Sequence, residues 1–217
     1  MFRNSRIALM LVTDRALCTK RSIDDVVSEA VAGGVDCVQL REKNLDTRSF
    51  VEQAQRLKQL LEPTGVPLII NDRVDVALAI GASGVHVGQE DMPVPIARRL
   101  LGPSSLIGLS VESWHDVELA EELPVDYLGV SPVFETPTKT NTKGSWGLEG
   151  IAKIRAFSRH PLVAIGGLNR DNVGNVIAAG AHGVAVVSAL CCADDPKHAA
   201  RRLLLCVNSQ TRTANRN

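Results

Sequence analysis

The 217-residue chain has few aromatic residues and no excess of either charge: one Tyr, two Trp and four Phe are present, and 24 Lys and Arg side chains are matched by 24 Asp and Glu. No basic cluster is longer than a pair, so the electrostatic footprint that a duplex-binding surface needs is missing. So few aromatic rings also make a poor stacking platform for single strands. Long hydrophobic runs are missing too. The longest early one, Ile7 to Val12, stops at Thr13 and Asp14, too short for a membrane span and wrong in form for a signal peptide. Five cysteines (Cys18, Cys37, Cys191, Cys192 and Cys206) form an odd set with no C-x-x-C pair. Neither a disulfide framework nor a zinc site is indicated, and they read as small core hydrophobes in a reducing compartment. Nucleic acid and membrane are excluded as partners, and a soluble cytoplasmic protein is expected.

Eight short apolar runs rich in β-branched residues recur along the chain: Ile7 to Val12, Val35 to Leu40, Val66 to Ile70, Val85 to Val87, Leu106 to Leu109, Tyr127 to Val130, Leu162 to Ile165 and Val184 to Val187. Their unbroken apolarity predicts strands buried on both faces. Helices are predicted between most of them. Ser22-Ile23-Asp24-Asp25 has the form of a capping box, and Gly33-Gly34 the form of a stop. Phe50, Ala54, Leu57 and Leu61 fall on one helical stripe. Ser113 to Asp116 and Asp195-Pro196 open two further helices. The segments 32–40, 80–88, 122–130 and 179–187 share one pattern: a helix end, a tight turn, then a strand. A (βα)2 unit repeated four times predicts an α/β protein with the closed (β/α)8 TIM barrel as a single domain. An open doubly wound sheet is the alternative, weakened by the lack of G-x-G-x-x-G after the first strand. The barrel is placed at 1–207 and a polar C-terminal tail at 208–217, whose order the sequence leaves open.

In such a barrel the active site lies on the loops after the C-terminal strand ends. The second strand runs on as Gln39-Leu40-Arg41-Glu42-Lys43. Extended backbone puts Gln39, Arg41 and Lys43 on one face and Leu40 and Glu42 on the other. An isolated string of this kind reads as a solvated loop paired to Glu42 or Asp46. At a strand end it reads as an anion site suited to a diphosphate, with a forked arginine and a point-charge lysine. Asn71-Asp72 follows the third strand and Asp91 the fourth. Each aspartate alone reads as a cap or turn residue, whereas two carboxylates from neighbouring strand ends suit Mg²⁺. His86 reads as a hydrogen-bonded core residue. Gly166-Gly167 and Ser188 follow the seventh and eighth strands, where this architecture commonly binds phosphate through backbone amides. The longest stretch without helical periodicity, Ser131 to Leu148, carries Thr136, Thr138 and Lys139 between and beyond Pro132 and Pro137, and reads as an anion-binding lid.

Taken in order, LVTD, VQLREK, IINDR, GVHVGQEDMP, GLS, GVSPVFETPTKTNT, AIGGLN and VAVVSAL resemble the thiamine-phosphate synthase family over roughly residues 7 to 190. The resemblance implies a transferase that joins 4-amino-2-methyl-5-hydroxymethylpyrimidine diphosphate to a hydroxyethylthiazole phosphate, plain or carboxylated, giving thiamine phosphate and diphosphate. It implies pyrimidine diphosphate binding by Gln39, Arg41, Lys43, Asn71, Ser110 and Lys139, and Mg²⁺ binding by Asp72 and Asp91. It further implies thiazole phosphate binding by Thr136, Thr138, Gly167, Val187 and Ser188, with Leu40, Glu42 and Pro137 inside the substrate-binding stretches. It implies Arg41, Lys43 and Lys139 as the catalytic cations. The implied mechanism is dissociative: diphosphate leaves first, and the thiazole nitrogen captures the resulting cation. Small phosphorylated molecules are the expected partners, with a homo-oligomer left open. A thiazole tautomerase on the same barrel is the rival; that branch carries a histidine after the fifth strand, where Glu112 stands here, and lacks the T-x-T-K string. A non-catalytic barrel that binds thiamine phosphates is a third reading, opposed by Asp72, Asp91 and Lys139.

Overall fold

The computed structural model describes residues 7–136 and 144–214, with side chains through 210. Strands β1 (Leu9–Val12), β2 (Cys37–Leu40), β3 (Leu68–Asn71), β4 (Gly84–Val87), β5 (Leu106–Val111), β6 (Tyr127–Val130), β7 (Leu162–Ile165) and β8 (Gly183–Val186) follow one another around a closed barrel. Every neighbouring pair is parallel, including β8 with β1. The open doubly wound alternative is therefore excluded. Helices α1 (Ile23–Ala32), α2 (Thr47–Leu61), α3 (Val74–Ile80), α4 (Val94–Leu101), α5 (Trp114–Ala120), α6 (Gly147–Phe157), α7 (Val173–Ala178), α8 (Ser188–Cys191) and α9 (Pro196–Ala214) make up the outer layer. α9 continues past residue 208, where composition places the start of a polar tail.

Local chemistry accounts for most boundaries. The Ser22 hydroxyl caps α1 by accepting from Asp25 N, but it donates its own proton to the Asp25 carboxylate 2.7 Å away, so the box is half formed. The reciprocal box stands at Ser113 and Asp116, where the carboxylate also accepts from Ser113 N at 2.8 Å. The predicted stripe on α2 is buried throughout. β5 runs two residues beyond its apolar run because Ser110 and Val111 still pair with Gly129 and Val130 of β6. β3 starts after Pro67, which has no N–H to give and whose carbonyl accepts from Val38 N at 3.0 Å.

Strand alternation divides the core in two. Met10, Val12, Cys37, Ile69, Leu106, Tyr127, Val163 and Ala185 fill the barrel interior, while Leu9, Leu11, Val38, Leu40 and their counterparts pack outward against the helices. Two glycines bring strands close enough to close. A Cβ on Gly84 would lie 2.0 Å from the Leu106 carbonyl oxygen, and one on Gly183 would lie 1.9 Å from that of Ile7.

The repeat seen in the sequence has a structural counterpart at the N-terminal rim. Asp36, Ser83, Asp126 and His182 each precede an even-numbered strand. Their backbone N–H groups donate to the carbonyls of Leu9, Leu68, Ile107 and Leu162 at 3.1, 3.0, 2.8 and 2.8 Å. Their side chains accept from the N–H groups of the same four residues, at 3.1, 3.2, 2.8 and 3.0 Å. Each clasp satisfies the first or second residue of an odd-numbered strand and fixes its register against the next. Asp126 also takes Arg98 at 2.6 Å, both side chains being 14% exposed. Asp126→Ala would strip the Ile107 N–H of its acceptor and leave Arg98 without its carboxylate. We expect a loss of about 3 kcal/mol, read from urea unfolding; a change below about 0.5 kcal/mol would show that the clasp is dispensable.

Candidate active site

The C-terminal ends of all eight strands open on one cavity of about 770 Å³. Gln39, Arg41 and Lys43 face it from β2 and the loop beyond, as alternation predicts. Leu40 lies instead in the outer core, fully buried, and Glu42 turns away to accept from Arg15 at 2.8 Å. Neither side chain lines the cavity, so any part they take in substrate binding falls to their backbone. Asp46 caps α2 rather than pairing with the cations. Arg41 is held from the β1–α1 loop: its N–H donates to Thr13 Oγ1 at 3.0 Å, and its guanidinium lies 3.4 Å from Asp14. Lys43 reaches Asp72 at 2.5 Å.

Asp72 and Asp91 come together as their spacing suggests. Asp72 adopts φ 62°, a left-handed conformation that aspartate tolerates at modest cost. Its N–H donates to the His86 carbonyl at 2.8 Å, which turns the chain inward. Asp91 accepts from Gly88 N at 2.7 Å. Burial pushes its carboxyl above the ordinary value and the adjacent Asp72 adds to this, against the Gly88 N–H and the Lys43 charge. Two carboxylates forced against each other, with oxygens toward an open cavity, fit a hard divalent cation whose other ligands are water and phosphate. Among the described residues no group of three or more His, Cys, Asp or Glu assembles a metal site.

The cavity floor holds a polar chain that the sequence reading only half found. The Tyr127 hydroxyl lies 3.0 Å from His86 Nδ1, and His86 Nε2 lies 2.9 Å from Ser110 Oγ; Gln39 lines the same cavity, its amide nitrogen 3.5 Å from Met10 Sδ. Gln39 and Ser110 were expected here; Tyr127 reads as an apolar strand residue and His86 as a core histidine. The histidine is indeed buried and bonded at both nitrogens, and it also lines the cavity. The available signal was glycine. A Cβ on Gly108 would meet Tyr127 at 2.2 Å and His86 at 2.4 Å, and one on Gly129 would meet His86 at 2.7 Å. Asn71 stands beside this chain, buried at the end of β3. Ser110 also offers its carbonyl to Gln89 at 2.6 Å. Glu112 lies on the cavity wall.

On the opposite side Gly166 and Gly167 take φ of 106° and 65°. The sequence suggests that they admit a phosphate; what they demonstrably admit is the chain after β6. A Cβ on Gly166 would lie 2.6 Å from Pro132, and one on Gly167 2.9 Å from Phe134 and Glu135. Phe134 N donates to Gly166 O at 3.1 Å, which seats the stem of the predicted lid on the glycines. The Gly167 carbonyl accepts from Asn172 at 2.9 Å. Gly167, Thr136, Val187 and Ser188 all line the cavity, the last two at the start of α8. Pro137, Thr138 and Lys139 lie outside the described residues.

A family model described as "Thiamine monophosphate synthase" matches residues 9–190. The chain belongs to the thiamine-phosphate synthase family. It is 60% identical over 201 residues to a thiamine-phosphate synthase of Albidiferax ferrireducens, covering 93% of this chain and 92% of that one. It is 52% identical over 198 residues to one of Vibrio campbellii, covering 90% and 96%. A solved thiamine phosphate pyrophosphorylase from Pyrococcus furiosus superposes with a TM-score of 0.86 at 38% identity, covering 97% of this chain and 99% of that one. A 3-hexulose-6-phosphate synthase at 16% identity and TM-score 0.68 shares the fold alone. Among the described residues no helix is long and apolar enough to cross a membrane.

The aspartate pair gives a prediction with a readout other than turnover. Because the Asp91 carboxyl is raised on folding, the stability it contributes to the metal-free protein is present below the ordinary carboxyl range and is lost as pH rises through the raised value. Near neutral pH, Asp91→Asn therefore unfolds no earlier than wild type without metal. Added Mg²⁺ stabilises wild type, by about 2.7 kcal/mol at roughly a hundred times Kd, and leaves Asp91→Asn unmoved. Equal thermal shifts in the two proteins would place the ion elsewhere.

Proposed function

We propose that the cavity condenses 4-amino-2-methyl-5-hydroxymethylpyrimidine diphosphate with hydroxyethylthiazole phosphate, releasing thiamine phosphate and diphosphate. The observation that carries this reading is the convergence of Arg41 and Lys43 with the Asp72–Asp91 pair on one cavity wall, facing Gly167, Val187 and Ser188 across the opening. Family membership supplies the substrates; this arrangement supplies a place for each phosphorylated group.

The chemistry asks for a stabilised leaving group and a dry site. Arg41, fixed by Thr13 and Asp14, presents a forked donor to the diphosphate, and Lys43 presents a point charge. Lys139, which the resemblance assigns to the diphosphate, is taken as a third cation. Bound Mg²⁺ on Asp72 and Asp91 would supply further charge neutralisation to the departing phosphates. As the carbon–oxygen bond breaks, the pyrimidine carries the positive charge, and the Tyr127–His86–Ser110 chain, with Gln39 on the same cavity wall, offers fixed dipoles in place of mobile water. The thiazole nitrogen then forms the new carbon–nitrogen bond, and Thr136, Thr138, Gly167, Val187 and Ser188 hold the thiazole phosphate so that this nitrogen faces the cation. No strong general base is required. The chemistry requires that water, which would quench the intermediate, be kept out of the site. A cytoplasmic setting agrees with this chemistry, and Glu112 in place of histidine favours condensation over thiazole isomerisation.

Purified protein with both substrates and Mg²⁺ is expected to release one diphosphate for each thiamine phosphate formed. Lys139→Ala should lower turnover at least tenfold while changing the KM for thiazole phosphate less, as expected for a contact made mainly in the transition state. Diphosphate without thiamine phosphate would mean hydrolysis and a different acceptor. Isomerised thiazole alone would restore the tautomerase reading.

A further inference from the structure

The Ser110 hydroxyl is the cavity end of a row of polar groups that starts in the closed interior of the barrel. Tyr127 opens β6 in the same interior cluster as Met10, Cys37 and Ile69, and is buried. Its hydroxyl lies 3.0 Å from Nδ1 of His86 in β4, and His86 Nε2 lies 2.9 Å from Oγ of Ser110 in β5. The two rings lie 5.5 Å apart between centroids and are tilted by 32°, in the space that Gly108 and Gly129 leave beside them. A half-turn of the imidazole would set ring carbons against both hydroxyls, so the ring is held in one orientation. The Ser110 backbone is fixed as well: its residue pairs with Gly129 of β6, and its carbonyl accepts from Gln89 at 2.6 Å.

Such a row can carry its protons in either of two senses. A neutral imidazole has one N–H and one bare nitrogen, so the sense at Nδ1 sets the sense at Nε2. A phenol, with an ordinary pKa of about 10, is the most acidic of the three neutral donors, and an aliphatic hydroxyl is the least. The favoured sense therefore has Tyr127 donate to Nδ1, which leaves the ring proton on Nε2 to be donated to Ser110 Oγ. A serine hydroxyl has one proton and two lone pairs. With one lone pair taken by the imidazole, its proton turns to the cavity that Ser110 lines together with Arg41, Lys43 and Asn71. A hydroxyl committed to donate suits a diphosphate, whose oxygens accept; the reverse sense would point a lone pair at the anion.

We propose that Tyr127 and His86 are positioning residues that fix the Ser110 hydroxyl as a donor to the leaving diphosphate. As the carbon–oxygen bond breaks, negative charge builds on the diphosphate oxygens. A donor already aimed at one of them gains strength without having to reorient. Tyr127 and His86 act through Ser110 and not by contact with the phosphates. Burial of the phenol at the far end keeps water from competing for His86 Nδ1, so the sense of the row is set from inside the barrel and delivered at its mouth. The effect on turnover rests on the function proposed above, whereas the sense of the row does not.

The sense of the row is read by NMR from the full chain with isotope-labelled histidine ring nitrogens, the His86 signals being assigned by their loss in His86→Gln. A bare Nδ1 and a protonated Nε2 are expected at neutral pH. The opposite tautomer, or a doubly protonated ring, would overturn the proposal. Tyr127→Phe keeps the ring and removes the hydroxyl alone. It should lower kcat about tenfold with a smaller change in the KM for the pyrimidine diphosphate. In a Ser110→Ala background the same change should cost little more, because residues that act through one group are not additive. Equal losses in the two backgrounds would mean a merely structural role and overturn the proposal too. His86→Gln, whose amide still donates to Ser110, is expected to keep more turnover than His86→Leu, and equal losses there would count against it. The expected tautomer in a protein that makes no thiamine phosphate would sustain the row and sink the function.

Discussion

Everything in this molecule depends on eight parallel strands closing on one another. Parallel pairing sends every strand end with the same sense to the same rim, so residues far apart in sequence meet at one mouth without any loop having to reach across. The opposite rim bears the cost of closure, because first strand residues there would leave buried N–H and C=O groups unpaired. Asp36, Ser83, Asp126 and His182 meet that need with one recurring clasp. Their chemistry differs, since carboxylate, hydroxyl and imidazole serve alike; what recurs is an acceptor one residue before each even-numbered strand. The stable rim and the chemical rim are thus separate, and substitutions at one need not disturb the other.

At the chemical rim the zero net charge of the chain resolves into paired opposites. Arg41 stands against Asp14 and Lys43 against Asp72, while Asp72 and Asp91 repel each other across the same wall. Pairs of this kind keep cations oriented and within reach of an anionic ligand, and a divalent ion would relieve the carboxylate repulsion as it arrived. Below them the Tyr127–His86–Ser110 chain lines the floor with dipoles that cannot rotate freely, because Gly108 and Gly129 leave room for those rings and nothing else.

Much of this was legible in the sequence because it is local. Apolar runs bounded by turn residues gave the strands, a fourfold pattern of turn and strand gave the barrel, and alternation along Gln39 to Lys43 separated inward cations from outward Leu40 and Glu42. What escaped is long-range. Nothing near Arg41 in sequence names Asp14 as its partner, and nothing near Gly166 shows that its missing side chain makes room for Pro132. Tyr127 was hidden because it opens a strand as an aromatic should.

The central claim is that the cation pair and the aspartate pair form one diphosphate–metal site. Diffraction from crystals grown with diphosphate and Mn²⁺ in place of Mg²⁺, using the anomalous signal of manganese, tests it most directly. The account predicts a metal peak between the Asp72 and Asp91 carboxylates, with diphosphate oxygens shared between that ion, Arg41 and Lys43. A metal bound away from both aspartates, or diphosphate seated without contact to Arg41 and Lys43, would contradict it.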